Sequence, residues 1–210
     1  MGLLGMEQFG DVRVAMWTPS ETLSELEAIL GNASLVSGIK AGISSEKRLR
    51  ERLAAHVLLR HISGEDHFID HDMAGRPFVP CLGMSLSISH CPECVAVAVS
   101  SDRVGVDVEK TGSRQLGVMD KFISAEEMSG LPDGNKELYV SLLWSAKEAV
   151  YKLVCGEGIS FVRDIFVPGF VLQDSGEISA SCRTKNGIKD IVLLYRFYNG
   201  FVSVIAVFKV

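Results

Sequence analysis

One order of segments occurs twice in this chain: a long stretch with apolar residues at helical spacing, then several strand-sized apolar runs cut apart by Gly and Pro. In the first half the helical stretch starts at Ser44 or Ser45 and runs through Arg60, with Leu49, Leu53, Val57 and Leu58 on one face. A strand near 12–17 precedes it, with a helix from Ser20, where Ser20-Glu21-Thr22 supplies the N-cap, to a stop near Gly31. Strands follow near Phe68, Phe78, 86–89 and 95–100. The second half opens with a strand at 104–109, continues with helical segments at 116–128 and 137–154, and closes with strands near 165–172, 177–182, 188–195 and 201–208. The expected architecture is α+β: a pseudo-two-fold pair of similar αβ subdomains, 1–102 and 103–210, joined near Ser101-Asp102-Arg103, each with a mainly antiparallel sheet packed by a long helix. A ligand site is expected in the cleft between the halves.

Inside the second half, Val104-Gly105-Val106-Asp107-Val108-Glu109 sets two carboxylates one residue apart in an apolar run. The strand period of two points both out of one face, about 7 Å apart along the chain. Trp144-Ser145-Ala146-Lys147-Glu148-Ala149-Val150-Tyr151-Lys152 then offers a third carboxylate between two lysines. The helical period stacks Trp144, Glu148 and Lys152 at successive turns of one face. A hard cation such as Mg²⁺ takes oxygen ligands, few of them from protein and the rest from water or substrate phosphates. Asp107, Glu109 and Glu148 therefore make a candidate Mg²⁺ and diphosphate site, with Mn²⁺ equally suited to oxygen ligands. The competing reading is a solvated strand edge and an ordinary Glu148–Lys152 surface pair, worth about 0.2–0.5 kcal/mol.

A net charge of −5 argues against a general nucleic-acid binder, which rests on an excess of Lys and Arg, so an anionic ligand needs a local basic cluster. No apolar run reaches the roughly 18–20 residues of a membrane span, and Met1-Gly2-Leu3-Leu4-Gly5-Met6 has neither a positive leader region nor a myristoylation pattern. These features predict a soluble, cytoplasmic protein. Five cysteines at irregular spacing do not describe a disulfide framework. Cys91-Pro92-Glu93-Cys94 lacks the helix a redox motif should open and the second ligand pair a zinc site needs, so it is read as a tight turn with buried thiols. His67 and His71 are read as surface residues of a loop or edge strand.

Five blocks in order carry a family resemblance. Gly75-Arg76-Pro77, Leu86-Ser87-Ile88-Ser89-His90-Cys91, the 104–109 block, Lys121-Phe122-Ile123-Ser124-Ala125-Glu126-Glu127 and the 144–152 block resemble the signature of the 4′-phosphopantetheinyl transferases. Length and two-half organisation resemble the monomeric, surfactin-synthetase-activating type, and the match covers roughly 47–160. Ser87, Cys91, Lys121 and His56 depart from the residues usual at their positions.

The resemblance implies a Mg²⁺-dependent transfer of the 4′-phosphopantetheine arm of coenzyme A to a serine of an apo acyl or peptidyl carrier protein. It implies that Asp107, Glu109 and Glu148 bind the metal, with Asp107, Glu148 and Lys152 catalytic. It implies that Ser89 and His90 contact the phosphates of coenzyme A, that Lys147 and Lys152 stabilise the diphosphate, and that Arg76 and Arg48 hold the 3′-phosphate end, with Arg52 the rival of Arg48. The amphipathic stretch 114–128, with Leu116, Val118, Met119, Lys121 and Phe122, is a candidate carrier dock. Two other functions use the same features: a Mg²⁺-dependent hydrolase of coenzyme A or nucleotide diphosphates, and a non-catalytic module that binds carrier proteins.

Overall fold

The computed structural model describes residues 3–155 and 158–209. The chain divides into two compact units, Met1–Asp102 and Arg103–Val210. Each is an antiparallel sheet with a long helix packed on it, an α+β architecture.

In the first unit β1 (Leu3–Phe9), β2 (Val12–Trp17), β3 (Asp70–His71), β4 (Pro77–Phe78), β5 (Ser85–Cys91) and β6 (Cys94–Ser100) form one sheet in the order β1-β2-β6-β5-β4-β3. Three helices belong to it: α1 (Leu23–Leu30), α2 (Ala33–Lys40) and α3 (Glu46–Ser63). Thr22 and Glu25 form a capping box that starts α1, so the helix begins after the Ser20 of the sequence reading. Ser45 caps α3 by accepting from the Arg48 amide, and Gly64 ends it with a left-handed residue. Leu53, Val57 and Leu58 are buried on α3 and share a core with Ala15 and Trp17 of β2 and Val95, Val97 and Val99 of β6. Strand β1 and helix α2 went unread in the sequence. The Gly-containing α2 is short, with Asn32 as its cap.

The Cys91–Cys94 segment is a β-hairpin: the two residues pair across Pro92 and Glu93, with Glu93 at φ 77°. Both cysteines are buried and neither forms a disulfide, as the turn reading requires.

In the second unit β7 (Val104–Lys110), β8 (Ile165–Phe166), β9 (Ser175–Thr184), β10 (Gly187–Tyr198) and β11 (Phe201–Phe208) form a sheet in the order β7-β11-β10-β9-β8. Helix α5 (Lys136–Val154) packs across β7 and β11. The expected helix at 116–128 is broken. A 3₁₀ segment spans Leu116–Lys121, and a fresh capping box of Ser124 and Glu127 starts the short α4 (Ala125–Ser129). Phe122 and Ile123 drop into the core between them. The expected strand at 165–172 shrinks to two residues, because Pro168 has no N–H to donate to the ladder and Gly169 after it weakens a strand.

Candidate active site

The site in the second unit is built on β7. Val204 and Val202 of β11 pair with Asp107 and Glu109, so these carboxylates share a face with Gly105, while Val104, Val106 and Val108 turn to the other face. The shared face lies under α5. A β-carbon on Gly105 would stand 2.0 Å from the carbonyl oxygen of Ala149 and 2.8 Å from the Leu153 amide nitrogen. Only glycine lets the helix come this close, and the approach brings helix side chains onto Asp107.

Asp107 is buried, and both of its oxygens are engaged. Ser145 Oγ donates to Oδ2 at 2.8 Å, and Lys152 Nζ donates to Oδ1 at 2.9 Å and to the Val106 carbonyl at 3.0 Å. Glu109 is half-buried and accepts from the Trp144 side chain; burial, then the charge of Asp107, pushes its carboxyl above the usual value. Glu148 is pushed up in the same way, first by burial and then by Asp107 and Glu109, against the opposing pull of Lys152. The three acids predicted from sequence are therefore near enough to repel one another, and Lys152 is with them. Trp144 is held by aromatic contacts, edge-on to Phe122 at 5.0 Å and tilted against Phe161 at 5.9 Å.

Among the described residues no three His, Cys, Asp or Glu side chains are gathered as a ready-made metal cluster. The donor set still fits a hard cation. Three mutually repelling carboxylates offer oxygen ligands and excess negative charge, and Mg²⁺ leaves its remaining positions to water and substrate oxygens.

Lys147 is a correction. Its ammonium is fully buried and donates to Glu127 Oε2 at 2.7 Å, to the Phe161 carbonyl at 2.9 Å and to the Ile165 carbonyl at 2.9 Å. An ammonium has three donors, and all are used, so Lys147 does not reach a diphosphate. Glu127 completes the clamp by accepting from the Val167 and Ser124 amides. The docking stretch is corrected too. Phe122 is buried and Leu116 and Met119 pack on the core of their own unit, which leaves Arg114, Val118 and Lys121 exposed.

The remaining predicted residues lie in the first unit. A pocket of about 510 Å³ is lined by Arg48, Glu51, Arg52 and His56 from α3, by His71 from β3 and by His90 from β5. Arg48 and Arg52 both face it, one turn apart. Arg76 follows the β3–β4 turn and forks onto Asp72, with Nε at 2.6 Å and Nη2 at 2.5 Å, while its neighbours Gly75 and Pro77 line the pocket. Ser89 and His90 part company. Adjacent strand residues face opposite ways, so Ser89 shares the buried face of Ser87 and His90 the face of α3.

Sequence reasoning missed Gly105, Ser145 and Glu127. The first had a signal, since a glycine inside a valine-rich strand marks close backbone approach. Ser145 and Glu127 stood inside quoted blocks, but their partners are 38 and 20 residues away and no local pattern names them.

Residues 103–198 match a family model described as the 4′-phosphopantetheinyl transferase superfamily. The 4′-phosphopantetheinyl transferase Sfp of Bacillus subtilis (strain 168) is 34% identical over 159 residues, covering 65% of this chain and 70% of that protein. The chain belongs to the 4′-phosphopantetheinyl transferase superfamily. The transferase psf-1 of Bacillus pumilus is 31% identical over 148 residues, 60% of this chain and 63% of the relative. Enterobactin synthase component D of Salmonella typhi is 33% identical over 102 residues, 47% of this chain and 39% of the relative. The chain thus spans between about two fifths and seven tenths of the length of these relatives. Among the described residues no helix is long and apolar enough to cross a membrane.

Proposed function

We propose that this protein transfers the 4′-phosphopantetheine arm of coenzyme A to a serine hydroxyl of an apo acyl or peptidyl carrier protein, releasing 3′,5′-adenosine diphosphate. The observation that carries the reading is the gathering of Asp107, Glu109, Glu148 and Lys152 where β7 meets α5 in a member of this superfamily. Asp107, Glu109 and Glu148 would hold Mg²⁺, which when bound neutralises the diphosphate and acts as a Lewis acid. The serine oxygen forms the new bond to the phosphorus that carries pantetheine, and the bond from that phosphorus to the bridging oxygen breaks. Glu148 takes the serine proton; a carboxylate raised by burial and by neighbouring acids is a better base than an ordinary one. Lys152 holds Asp107 in place and spreads positive charge toward the departing oxygen. Arg48, Arg52 and His90 grip the phosphorylated end of coenzyme A in the first-unit pocket.

The test mixes the protein with coenzyme A, Mg²⁺ and an apo carrier protein and weighs the carrier by mass spectrometry. A gain of one phosphopantetheine arm is expected. Coenzyme A breakdown without a carrier would favour a hydrolase, and neither outcome would leave a binding module.

A further inference from the structure

The first-unit pocket has an apolar side for which the phosphate-gripping groups have no use. Ile39, Phe68, Pro77 and Ile88 line it together with Arg48 and Arg52. Phe68 stands out among them, because 49% of the residue is exposed although it belongs to the pocket wall. A phenylalanine stabilises a fold by leaving water, and this one forgoes about half of that gain.

The ring is nevertheless seated. A β-carbon on Gly38 would stand 3.3 Å from Cε2 of Phe68, tighter than an ordinary contact, so α2 runs close along one edge of the ring. Glycine is a poor helix former, and its place inside the eight-residue α2 makes room there. Next to the ring is His56, tilted by 57° with the centroids 6.3 Å apart. His56 is buried and both of its nitrogens are used: Nδ1 donates to the Arg52 carbonyl at 2.8 Å, and Nε2 accepts from the Ile69 amide at 3.4 Å. The second bond ties the residue after Phe68 to α3. A flat ring fixed in this way and open to the pocket suits a flat aromatic guest. The guanidinium groups of Arg48 and Arg52 in the same pocket suit a phosphate on that guest.

We infer that Phe68 is a specificity-determining residue, the surface on which the adenine of coenzyme A stacks while Arg48 and Arg52 meet phosphate. The inference rests on the reading that this pocket takes the phosphorylated end of coenzyme A. Stacking reads a π-face and no hydrogen-bond pattern, so Phe68 acts on ligands that carry a base and on no others. A base stacked on an aromatic side chain corresponds to about fivefold to hundredfold in affinity.

The test is calorimetric titration with 3′,5′-adenosine diphosphate and with methyl ribofuranoside 3,5-bisphosphate, which keeps both phosphates and lacks the base. Three proteins are compared: the wild type, Phe68→Leu, which keeps an apolar side chain without a π-face, and Phe68→Trp, which keeps the face. The nucleotide should bind Phe68→Leu about tenfold more weakly than the wild type, and the baseless bisphosphate should bind both alike. In Phe68→Trp, nucleotide binding should quench the added indole beyond any change in the wild type, whose two tryptophans are Trp17 and Trp144. An unchanged nucleotide affinity in Phe68→Leu, or a loss shared equally by both ligands, overturns the inference. So does an unquenched indole in the nucleotide-saturated Phe68→Trp, which decides the matter by itself if the leucine variant does not fold. These titrations need no carrier protein. A wild type that binds the nucleotide through Phe68 yet loads no carrier removes the transfer reading and leaves the stacking in place, whereas carrier loading with unaltered nucleotide binding in Phe68→Leu does the reverse.

Discussion

Gly105→Ala tests the packing on which the whole second-unit site depends. The added carbon would stand 2.0 Å from the Ala149 carbonyl oxygen, whereas an ordinary contact begins at 3.4 Å, so α5 must retreat by about 1.4 Å. The obstacle is helix backbone and cannot rotate aside as a side chain would. Overpacking of this kind costs about 1–3 kcal/mol, and a backbone clash belongs at the upper end. The same retreat would stretch the Ser145–Asp107 and Lys152–Asp107 bonds from 2.8 and 2.9 Å to beyond hydrogen-bonding distance. A displacement near 1 Å in a reacting constellation costs on the order of 100-fold in rate. Urea unfolding should therefore show a loss of about 3 kcal/mol, and carrier loading at a urea-free temperature where the variant stays folded should fall about 100-fold. Wild-type stability together with wild-type turnover would refute the claim that Gly105 sets the height of α5 over β7.

Three further outcomes follow from the same contacts. Lys147→Met should cost about 3–5 kcal/mol in urea unfolding, because Glu127 keeps its charge in the core without its partner; adding Glu127→Gln should recover part of that loss, and a double variant no better than the single would refute the ion-pair account. Asp107→Ala should abolish carrier loading and also lower stability by about 1–3 kcal/mol, since Ser145 and Lys152 lose a buried acceptor; retained loading in a folded variant would remove Asp107 from the site. Asp11 accepts from Ser101 Oγ and the Ser101 amide and from Ser100 Oγ, and these bonds lower its carboxyl from 3.8 to about 2. A lowered carboxyl contributes stability that is present above 3.8 and is lost as pH falls through about 2. The melting temperatures of wild type and Asp11→Asn should thus differ at neutral pH and converge across that window, and a constant gap would refute the assignment.

The fold was legible wherever periodicity and punctuation agreed. The long helices over β-sheets and the 201–208 strand carry strong local signals. What failed to show were elements defined by tertiary contact. Strand β1 pairs with β2 through a register irregularity between Leu3 and Gly5, and its sequence lacks clean alternation. The 116–128 stretch has helical composition, yet the Ser124–Glu127 box restarts the helix and buries Phe122 and Ile123 between two short turns.

Both misplaced site residues fall to one elementary rule. Adjacency in sequence suggests a shared ligand, but adjacent residues on a strand point to opposite faces, and adjacent residues on an α-helix diverge by about 100°. Ser89 and His90 cannot both face the α3 pocket, and Lys147 cannot accompany Glu148 to the carboxylates of β7. On α5 the residues that do share the site are separated by whole turns: Trp144 reaches Glu109, Glu148 follows at the next turn and Lys152 at the one after, while Lys147 turns inward to Glu127. Lysine and glutamate are therefore adjacent in the motif for different reasons. Lys147 ties α5 to the chain at Phe161 and Ile165 and so fixes the rotation of the helix about its axis. That rotation is what directs Glu148 toward Asp107. The prediction that separates the two roles is quantitative: Glu148→Gln should lose carrier loading with stability nearly intact, and Lys147→Met should lose stability first, with loading falling only as the helix is released.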